Sequence, residues 1–347
     1  MIAVALSGGA DSAFAAYLLR QKHEVLGLFA LLAPQDPEQE IERVKRLSEK
    51  LSIPLKVVDL REAFREKIIS YFKEAYRQAK TPNPCILCNR EIKFGLLLEE
   101  ALALGAEKLA TGHYVRLFFD EKNGCYLLKK GVDPGKDQSY FLALLRQEQL
   151  ARALFPLGEW RKEEVIKEAV RLGFFELTAP ESQEVCFIRG DYRHLFADED
   201  FPPGDLVTVS GKVVGRHQGL FAYTIGQRRG LGVRLGRPYY VVALDPEKNQ
   251  VIIGPKKYLS RRALLLQNWH LLCPQRGLPE RALVRIRYRH REAPARLERQ
   301  NSSLRVVFDR PQQAITPGQF AVFYEDQLVL GGGEISRVLD EKECSHE

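Results

Sequence analysis

Short apolar runs alternate with amphipathic runs over the first third of the chain, and this alternation restricts the possible folds more than any other feature. Residues 2–6, 24–32, 55–58 and 108–111 are mostly apolar, and segments with helical periodicity separate them. The clearest of these segments, residues 37–51, repeats its apolar side chains every three or four positions. Strands that alternate with helices form a parallel sheet with helices on both faces. The sequence therefore predicts an N-terminal α/β domain with a doubly wound parallel sheet.

The pattern changes in the second half of the chain to short strands separated by Gly, Pro and Asn turns. One β-rich block covers residues 206–253 and a second covers residues 268–339. Regularly spaced short strands are typical of a small barrel or sandwich. We therefore expect three domains: residues 1–200 form the α/β domain, residues 201–262 a small, mostly β central domain, and residues 263–347 a C-terminal β-barrel.

Composition and charge narrow the class of protein. Of the 347 residues, 45% are hydrophobic and 28% are charged, and no apolar run approaches the roughly 20 residues that cross a bilayer. The N-terminus lacks the basic leader of a signal peptide, so we expect a cytoplasmic protein without membrane contact. A net charge of +7 and a pI of about 9.0 suit a polyanionic partner. Six cysteines are too few for a disulfide scaffold, and paired cysteines indicate metal or redox chemistry.

A glycine-containing loop joins the first predicted strand to the first predicted helix. It reads Leu6-Ser7-Gly8-Gly9-Ala10-Asp11-Ser12. The two glycines allow a tight turn and a close approach of the backbone to a ligand, and the helix N-terminus favours an anion. Asp11 could hold a magnesium ion that bridges phosphates. An ordinary turn with a serine cap is the alternative, and the Walker motif is excluded because no Lys-Ser or Lys-Thr follows the glycines.

Cys85 and Cys88 lie in the Pro-flanked segment 81–94 with Cys-x-x-Cys spacing. Cys88 comes just before a predicted helix, whose N-terminus would lower the thiol pKa and favour the thiolate. Lys93 and Arg90 would act in the same direction. Half of a structural zinc site is the alternative, although no second Cys-x-x-Cys or His pair follows.

A third cysteine, Cys186, lies in the apolar string 181–188, where a lone cysteine is usually inert core. The glycine loop, however, resembles the pyrophosphate-gripping loop of the ATP pyrophosphatase (PP-loop) family. Together with the strings around Cys88 and Cys186 it resembles the tRNA-specific 2-thiouridylase family. Further matches along almost the whole chain are residues 111–114, 135–142, 154–158, 223–230, 287–289 and 317–319.

The resemblance implies an adenine nucleotide alpha hydrolase-like first domain and roles for individual residues. Cys88 would be the nucleophile, Cys186 would carry a persulfide, and Asp11 would assist catalysis. ATP would contact residues 6–12 together with Leu32 and Gly112, although the sequence near Leu32 departs from the pattern of the family. Contacts with tRNA would come from Asn83, Pro84, Cys85, His113, Lys136, Asp137, Gln138, Arg287, Tyr288 and Gln319.

Each of these RNA contacts has a simpler alternative. His113 could cap a turn, and Asp137 could start a helix. Arg287 and Tyr288 could belong to an alternating strand with solvated arginines, and Gln319 could be a turn residue. Arg228 and Arg229 could be solvated, but basic residues between glycines also suit a phosphate backbone.

The resemblance implies ATP-dependent 2-thiolation of the wobble uridine of tRNA. Transfer of AMP to the uridine 2-oxygen makes that oxygen a good leaving group, and an enzyme-borne sulfur then replaces it. In one route Cys186 bears a persulfide that Cys88 resolves as a disulfide. In the other, Cys85, Cys88 and Cys186 hold a [4Fe–4S] cluster that binds an extra sulfide. Either route needs a sulfur donor, either a cysteine desulfurase or a relay protein.

Two other functions remain open at this point. An ATP pyrophosphatase-type amide ligase acting on a small carboxylate would use Ser7 to Ser12 but would have no use for Cys88 and Cys186. A non-catalytic tRNA-binding protein would bind tRNA without consuming ATP. The remaining cysteines, Cys125, Cys273 and Cys344, lie outside the matched strings, and we expect them to be structural or incidental.

Overall fold

The computed structural model describes residues 1–32, 37–174, 177–178, 185–188, 190–199 and 201–339. Cys344, the loop 33–36 and residues 181–184 therefore lie outside the described residues. The strands are β1 (Ile2–Ala5), β2 (Val25–Leu31), β3 (Leu55–Asp59), β4 (Lys108–Ala110), β5 (Val115–Asp120), β6 (Cys125–Lys130), β7 (Ala153–Leu154), β8 (Gly204–Thr208), β9 (Val213–His217), β10 (Tyr240–Asp245), β11 (Gln250–Gly254), β12 (Ser260–Leu271), β13 (Arg281–Arg285), β14 (Ala293–Gln300), β15 (Ser303–Gln313), β16 (Phe320–Glu325) and β17 (Leu328–Leu339).

The α-helices all belong to the first half of the described chain. They are α1 (Ala10–Arg20), α2 (Pro37–Leu51), α3 (Arg61–Phe64), α4 (Ser70–Arg77), α5 (Pro84–Leu87), α6 (Leu97–Ala103), α7 (Gln147–Ala151) and α8 (Lys162–Arg171). π-Helical stretches, Arg65–Ile69 and Cys88–Leu96, join α3 to α4 and α5 to α6. No helix among the described residues is long and apolar enough to span a membrane.

The N-terminal sheet has five parallel strands in the order β3-β2-β1-β4-β7. Neighbouring side chains of β1 point to opposite faces, as the period of a strand requires. Val4 packs with residues of α1, α2 and α8, whereas Ala3 packs with residues of α6. Helices therefore cover both faces, and the predicted doubly wound α/β domain is confirmed.

The helix that carries Cys88 starts earlier than the sequence predicts. Pro84 occupies its first turn, where the missing N–H of proline is not needed. Gly95 then leaves helical geometry, with φ −99° and ψ −106°. The side-chain amide of Gln149 donates to the carbonyls of Arg90 at 2.7 Å and Phe94 at 2.8 Å, so the carbonyl groups of this irregular stretch keep partners. Cys88 thus lies inside a continuous helical run.

Two β units follow the α/β domain. The central unit is a four-stranded sheet in the order β10-β11-β8-β9. The C-terminal unit runs β12-β15-β14-β13-β16-β17, and β12 also pairs with β17, which closes these six strands into a ring. The predicted C-terminal barrel is therefore confirmed. β13 ends at Arg285, so the interpretation of Arg287 and Tyr288 as strand residues is wrong; they lie in the turn that follows.

The hairpin of β5 and β6 belongs to the first domain in sequence but joins the barrel in space. β6 pairs with β17 through Leu128 and Lys129. Cys125 of β6 also forms a disulfide with Cys273, which lies just after β12 and 148 residues after Cys125 in the sequence. Both half-cystines are buried. Cys125 and Cys273, which we expected to be structural or incidental, thus form a structural pair, and no local pattern in the sequence predicts this pairing.

Candidate functional site

The glycine loop lies at the point where the order of the sheet reverses. β1 has β2 on one side and β4 on the other, and the chain reaches β4 only after β2 and β3. In open α/β sheets, ligands bind beyond the carboxyl ends of the strands at such a switch point. The loops after β1 and β4 meet there, and they contain Ser7 to Ser12 and Gly112.

A left-handed glycine and two serines hold the conformation of the loop. Gly8 has a φ of +74°, in the left-handed region that glycine adopts without strain. The Ser12 hydroxyl donates to the Gly9 carbonyl at 2.9 Å and accepts from the Ser7 N–H at 3.1 Å. These bonds fold the loop over the start of α1. α1 begins directly after the loop, and the N-terminus of a helix favours an anion.

Asp11 lies in the first turn of α1 and holds two partners from distant parts of the chain. The Lys162 ammonium lies 2.7 Å from each carboxylate oxygen, and the Tyr114 hydroxyl donates to one of them at 2.7 Å. Lys162 is only 12% exposed. A nearly buried ammonium beside a phosphate loop is a candidate phosphate ligand.

Gly112 packs directly against this helix start. A Cβ atom at Gly112 would lie 3.0 Å from the Asp11 carbonyl carbon and 3.0 Å from the Ser12 nitrogen. Only glycine allows the loop after β4 to approach so closely. The structure therefore brings together two segments that the sequence assigned separately to ATP.

Cys88 and the residues on either side of Cys186 pack into one aromatic cluster at the same end of the sheet. Cys88, which is 7% exposed, packs in an aromatic cluster with Phe64, Phe72 and Phe187, and Phe187 is the neighbour of Cys186 in sequence. Leu32, at the end of β2, packs against the same cluster. Cys85 is half-buried and Cys186 reaches solvent. The expected meeting of distant thiols is thus supported by shared packing.

The ionisation of these thiols is governed mainly by burial. Loss of hydration raises the pKa of Cys85 to about 11 and that of Cys88 to about 12. The charge of Cys186 raises both pKa values further, whereas the ammonium of Lys93 lowers the pKa of all three thiols. The expectation of a lowered Cys88 pKa at a helix N-terminus is wrong, because Cys88 continues a helix that began at Pro84.

The assignment of Cys85, Cys88 and Cys186 to an iron–sulfur cluster stays a prediction. Within the described ranges no group of three or more His, Cys, Asp or Glu side chains is arranged to hold a metal ion. A [4Fe–4S] cluster with three protein ligands requires three thiolates around one site.

Several residues assigned to tRNA have partners within the protein. Asp137 is 5% exposed and accepts from the N–H groups of Gly131 and Ser139 and from Arg285. Gln138 accepts from the Tyr114 N–H at 3.0 Å. These bonds fix the segment 136–138, with Lys136 half-buried beside them.

The other assigned residues surround the cysteine pocket or lie on the barrel. His113 bonds Thr111 through Nδ1 at 2.8 Å, and burial holds the pKa of His113 well below its usual range, so its ring is neutral. Asn83 precedes α5 and Pro84 is buried. Tyr288 packs its ring 4.4 Å from that of Phe141. Arg287 donates to a barrel carbonyl.

Gln319 reaches from the barrel to the segment that precedes Cys85. Its amide nitrogen donates to the carbonyls of Thr81 at 2.9 Å and Pro82 at 3.1 Å. The simpler interpretation of Gln319 as a plain turn residue is therefore incomplete, because its side chain connects two domains.

Sequence reasoning missed Lys162 and the role of Tyr114. Lys162 is the first residue of α8, directly after Arg161. Cations at a helix N-terminus oppose the helix dipole, so a basic pair there is a signal for an anionic partner. Tyr114 lies in a matched string, but only the fold shows that its hydroxyl reaches Asp11.

Comparison with family models covers most of the chain. Residues 1–190 match the model described as tRNA methyl transferase HUP domain. Residues 196–255 match the tRNA methyl transferase PRC-barrel domain, and residues 261–335 match the Aminomethyltransferase beta-barrel domain.

Individual proteins named tRNA-specific 2-thiouridylase MnmA are similar over nearly the full length. The protein of Syntrophomonas wolfei is 48% identical over 96% of this chain and 99% of its own length. That of Moorella thermoacetica is 46% identical over 96% and 99%, and that of Syntrophotalea carbinolica is 46% identical over 96% and 98%. With the phosphate loop and the paired thiols in place, this similarity shows that the chain belongs to the tRNA-specific 2-thiouridylase family.

Proposed function

We propose that this chain is an ATP-dependent tRNA-uridine 2-sulfurtransferase that acts on the wobble uridine. The observation that supports this most is that the glycine loop and the aromatic cluster around Cys88 and Cys186 lie at one end of the same sheet. ATP activation and sulfur transfer can then act on a single base held between them. Proteins named as 2-thiouridylases share this chain over nearly its whole length.

The adenylation step uses the loop residues. The N–H groups of the first turn of α1, with Ser7 and Ser12, would bind the outgoing pyrophosphate. Lys162 would stabilise the charge that grows on that group, because a preorganised cation in a nearly buried site is most effective where charge develops. In the free protein Lys162 pairs with both carboxylate oxygens of Asp11. Once Lys162 has turned to the phosphates, Asp11 would hold a magnesium ion, which would supply charge neutralisation there. AMP is then attached to the uridine 2-oxygen.

The sulfur step uses the thiol pocket. The terminal sulfur of a persulfide on Cys186 attacks C2 of the uridine, and AMP leaves with the former 2-oxygen. The Cys88 thiolate then attacks the sulfur of Cys186, which breaks the S–S bond and releases the 2-thiouridine. A Cys88–Cys186 disulfide remains, and an external dithiol reductant supplies the two electrons that restore both thiols. The iron–sulfur route through Cys85, Cys88 and Cys186 stays the alternative.

The target base must leave its stack to reach this pocket, which costs little in an anticodon loop. Exposed arginines of the central unit offer a surface for the RNA backbone. Arg228, Arg234 and Arg237 line a cavity of about 470 Å³, and Arg229 lies beside it. No carboxylate in the described part of the chain forms an ion pair with these four side chains. Their free charge suits phosphates.

The remaining assignments follow from this chemistry. A cysteine desulfurase or a sulfur-relay protein would load Cys186, because no residue of the chain generates sulfane sulfur. Mature anticodon loops are found in the cytoplasm, which we infer to be the location of the protein.

The test is thiolation of unmodified tRNA by purified protein with ATP, magnesium and a persulfide donor. We expect one AMP and one pyrophosphate per 2-thiouridine. Cys88→Ser and Cys186→Ser should abolish the product, whereas Cys344→Ser, outside every matched string, should not. A fully loaded [4Fe–4S] cluster contributes about 4 iron atoms per chain, so fully active protein with less than about 0.1 iron atom per chain would exclude the cluster route.

The amide ligase alternative predicts a different outcome. A ligase would consume ATP with a small carboxylate and an amine, without tRNA, and would keep its activity in Cys88→Ser. Absence of tRNA-dependent pyrophosphate release would contradict the proposed function.

A further inference from the structure

A turn of the barrel holds the segment that leads into the cysteine helix. Residues 317–319 connect β15 to β16 and lie against Lys80, Thr81 and Pro82. The Thr81 N–H donates to the Pro317 carbonyl at 2.9 Å. The two bonds donated by Gln319 complete a set of three across this junction. All three involve backbone atoms of the segment, so they fix the path of the chain.

The central unit contacts the same residue. The Thr81 hydroxyl lies 3.3 Å from the Thr224 hydroxyl. The N–H of Thr224 in turn donates to the side chain of Gln227 at 3.1 Å, and Gln227 directly precedes the exposed Arg228. Thr81 is therefore the point at which all three units of the molecule meet.

The junction is too tightly packed to absorb a displacement. Gly318 has a φ of +88°, and a Cβ there would lie 2.9 Å from the Thr81 carbonyl oxygen. The turn is anchored on β17, because Gly318 N–H donates to Ile335 and Ile335 N–H donates to Gln319. On the other side, Pro82 and Pro84 fix two φ angles within the three residues before Cys85. A displacement of the barrel turn would therefore also displace the cysteines.

These contacts give Gln319 a structural role in the free protein, without RNA. Its amide nitrogen already serves two carbonyls in the free protein. We propose that Gln319 is a positioning residue, which couples the placement of the barrel and central units to the placement of the Cys85–Cys88 turn. The proposal rests on the sulfurtransferase function above: tRNA that docks on the two β units would then align the thiols with its own target base.

The substitution Gln319→Met removes the side-chain amide and keeps a similar side-chain volume. In Gln319→Met, we expect amide hydrogen exchange in residues 79–88 of the free protein to rise by about tenfold, as the loss of two hydrogen bonds implies. The thiolation rate at saturating tRNA should fall by a similar factor, with tRNA affinity within about twofold. Gly318→Ala should act in the same direction, because its Cβ displaces Thr81 while Gln319 stays in place.

Gln312→Met is the matched control. The Gln312 amide donates only to the nearby Arg310 carbonyl within β15, so its exchange and rate should equal those of the wild type. A melting temperature near that of the wild type shows that each variant is folded. The proposal is overturned if exchange in residues 79–88 is unchanged in Gln319→Met, or if only tRNA affinity falls. Exchange is measured without tRNA or ATP, so a wild-type chain that does not thiolate tRNA would contradict the function and leave this result intact.

Discussion

The disulfide between Cys125 and Cys273 permits a quantitative test of how the hairpin and barrel are joined. The replacement is Cys125→Ala with Cys273→Ala, which avoids placing a serine hydroxyl among buried apolar side chains. A cross-link lowers the entropy of the unfolded chain, and the effect grows with loop length. For a separation of 148 residues the chain-entropy relation gives about 5 kcal/mol. We therefore expect the double variant to lose about 2 to 5 kcal/mol of unfolding free energy.

The positions of the two tryptophans allow the loss of unfolding free energy to be measured in the barrel. Trp160 packs against Phe14 of α1, whereas Trp269 lies on β12 of the barrel. In a Trp160→Phe background, urea unfolding followed by fluorescence reports on the barrel alone. The midpoint should fall by about 1 to 2 M in the double variant and equally in the reduced parent.

Two results would refute the reasoning about the disulfide. One is a coincident midpoint for the oxidised parent and the double variant. The other is alkylation of Cys125 and Cys273 in denatured protein that has not been reduced.

Three further predictions concern the site. Lys162→Met should lower the rate of tRNA-dependent AMP formation by about 10²- to 10³-fold with unchanged tRNA affinity, and Lys162→Arg should restore part of that rate. An unaltered rate in Lys162→Met would contradict the role of Lys162 in stabilising pyrophosphate. Gly112→Ala should raise the KM for ATP by about tenfold or more, because the added Cβ would lie 3.0 Å from backbone atoms of Asp11 and Ser12. ATP binding equal to that of the wild type would contradict this prediction. Burial raises the pKa of Cys88 to about 12, so the rate at which Cys88 is alkylated should increase by about tenfold per pH unit up to about pH 10. A plateau of this rate near pH 9, the ordinary pKa of a thiol, would contradict the raised pKa.

The parts of the fold that could be predicted depend on near neighbours in sequence. The helix expected over residues 37–51 is observed as Pro37–Leu51, because its apolar stripe alone specifies a helix lying on a sheet. The glycine loop was recognisable because a left-handed Gly8 before a helix start is a local requirement. The start of the cysteine helix was misplaced, since proline in a first turn resembles proline in a loop.

Contacts between distant residues could not be predicted in this way. The two partners of Asp11 lie 103 and 151 positions away, and the partners of Thr81 lie on two other units. Nothing in the residues around Cys125 indicates which cysteine it meets. Such pairings depend on how whole sheets and helices pack, and a cysteine or lysine has the same local preferences whether its partner is near or absent.

By itself the sequence determined the order of strands and helices and the glycine loop, because each depends on backbone preferences and periodicity over a few residues. The three thiols were assigned only through the resemblance to a family. Only the tertiary structure decided that Lys162 neutralises Asp11, that burial raises the thiol pKa values, and that Gln319 holds the cysteine turn. These features arise from desolvation and long-range contact, and both exist only once the chain has folded.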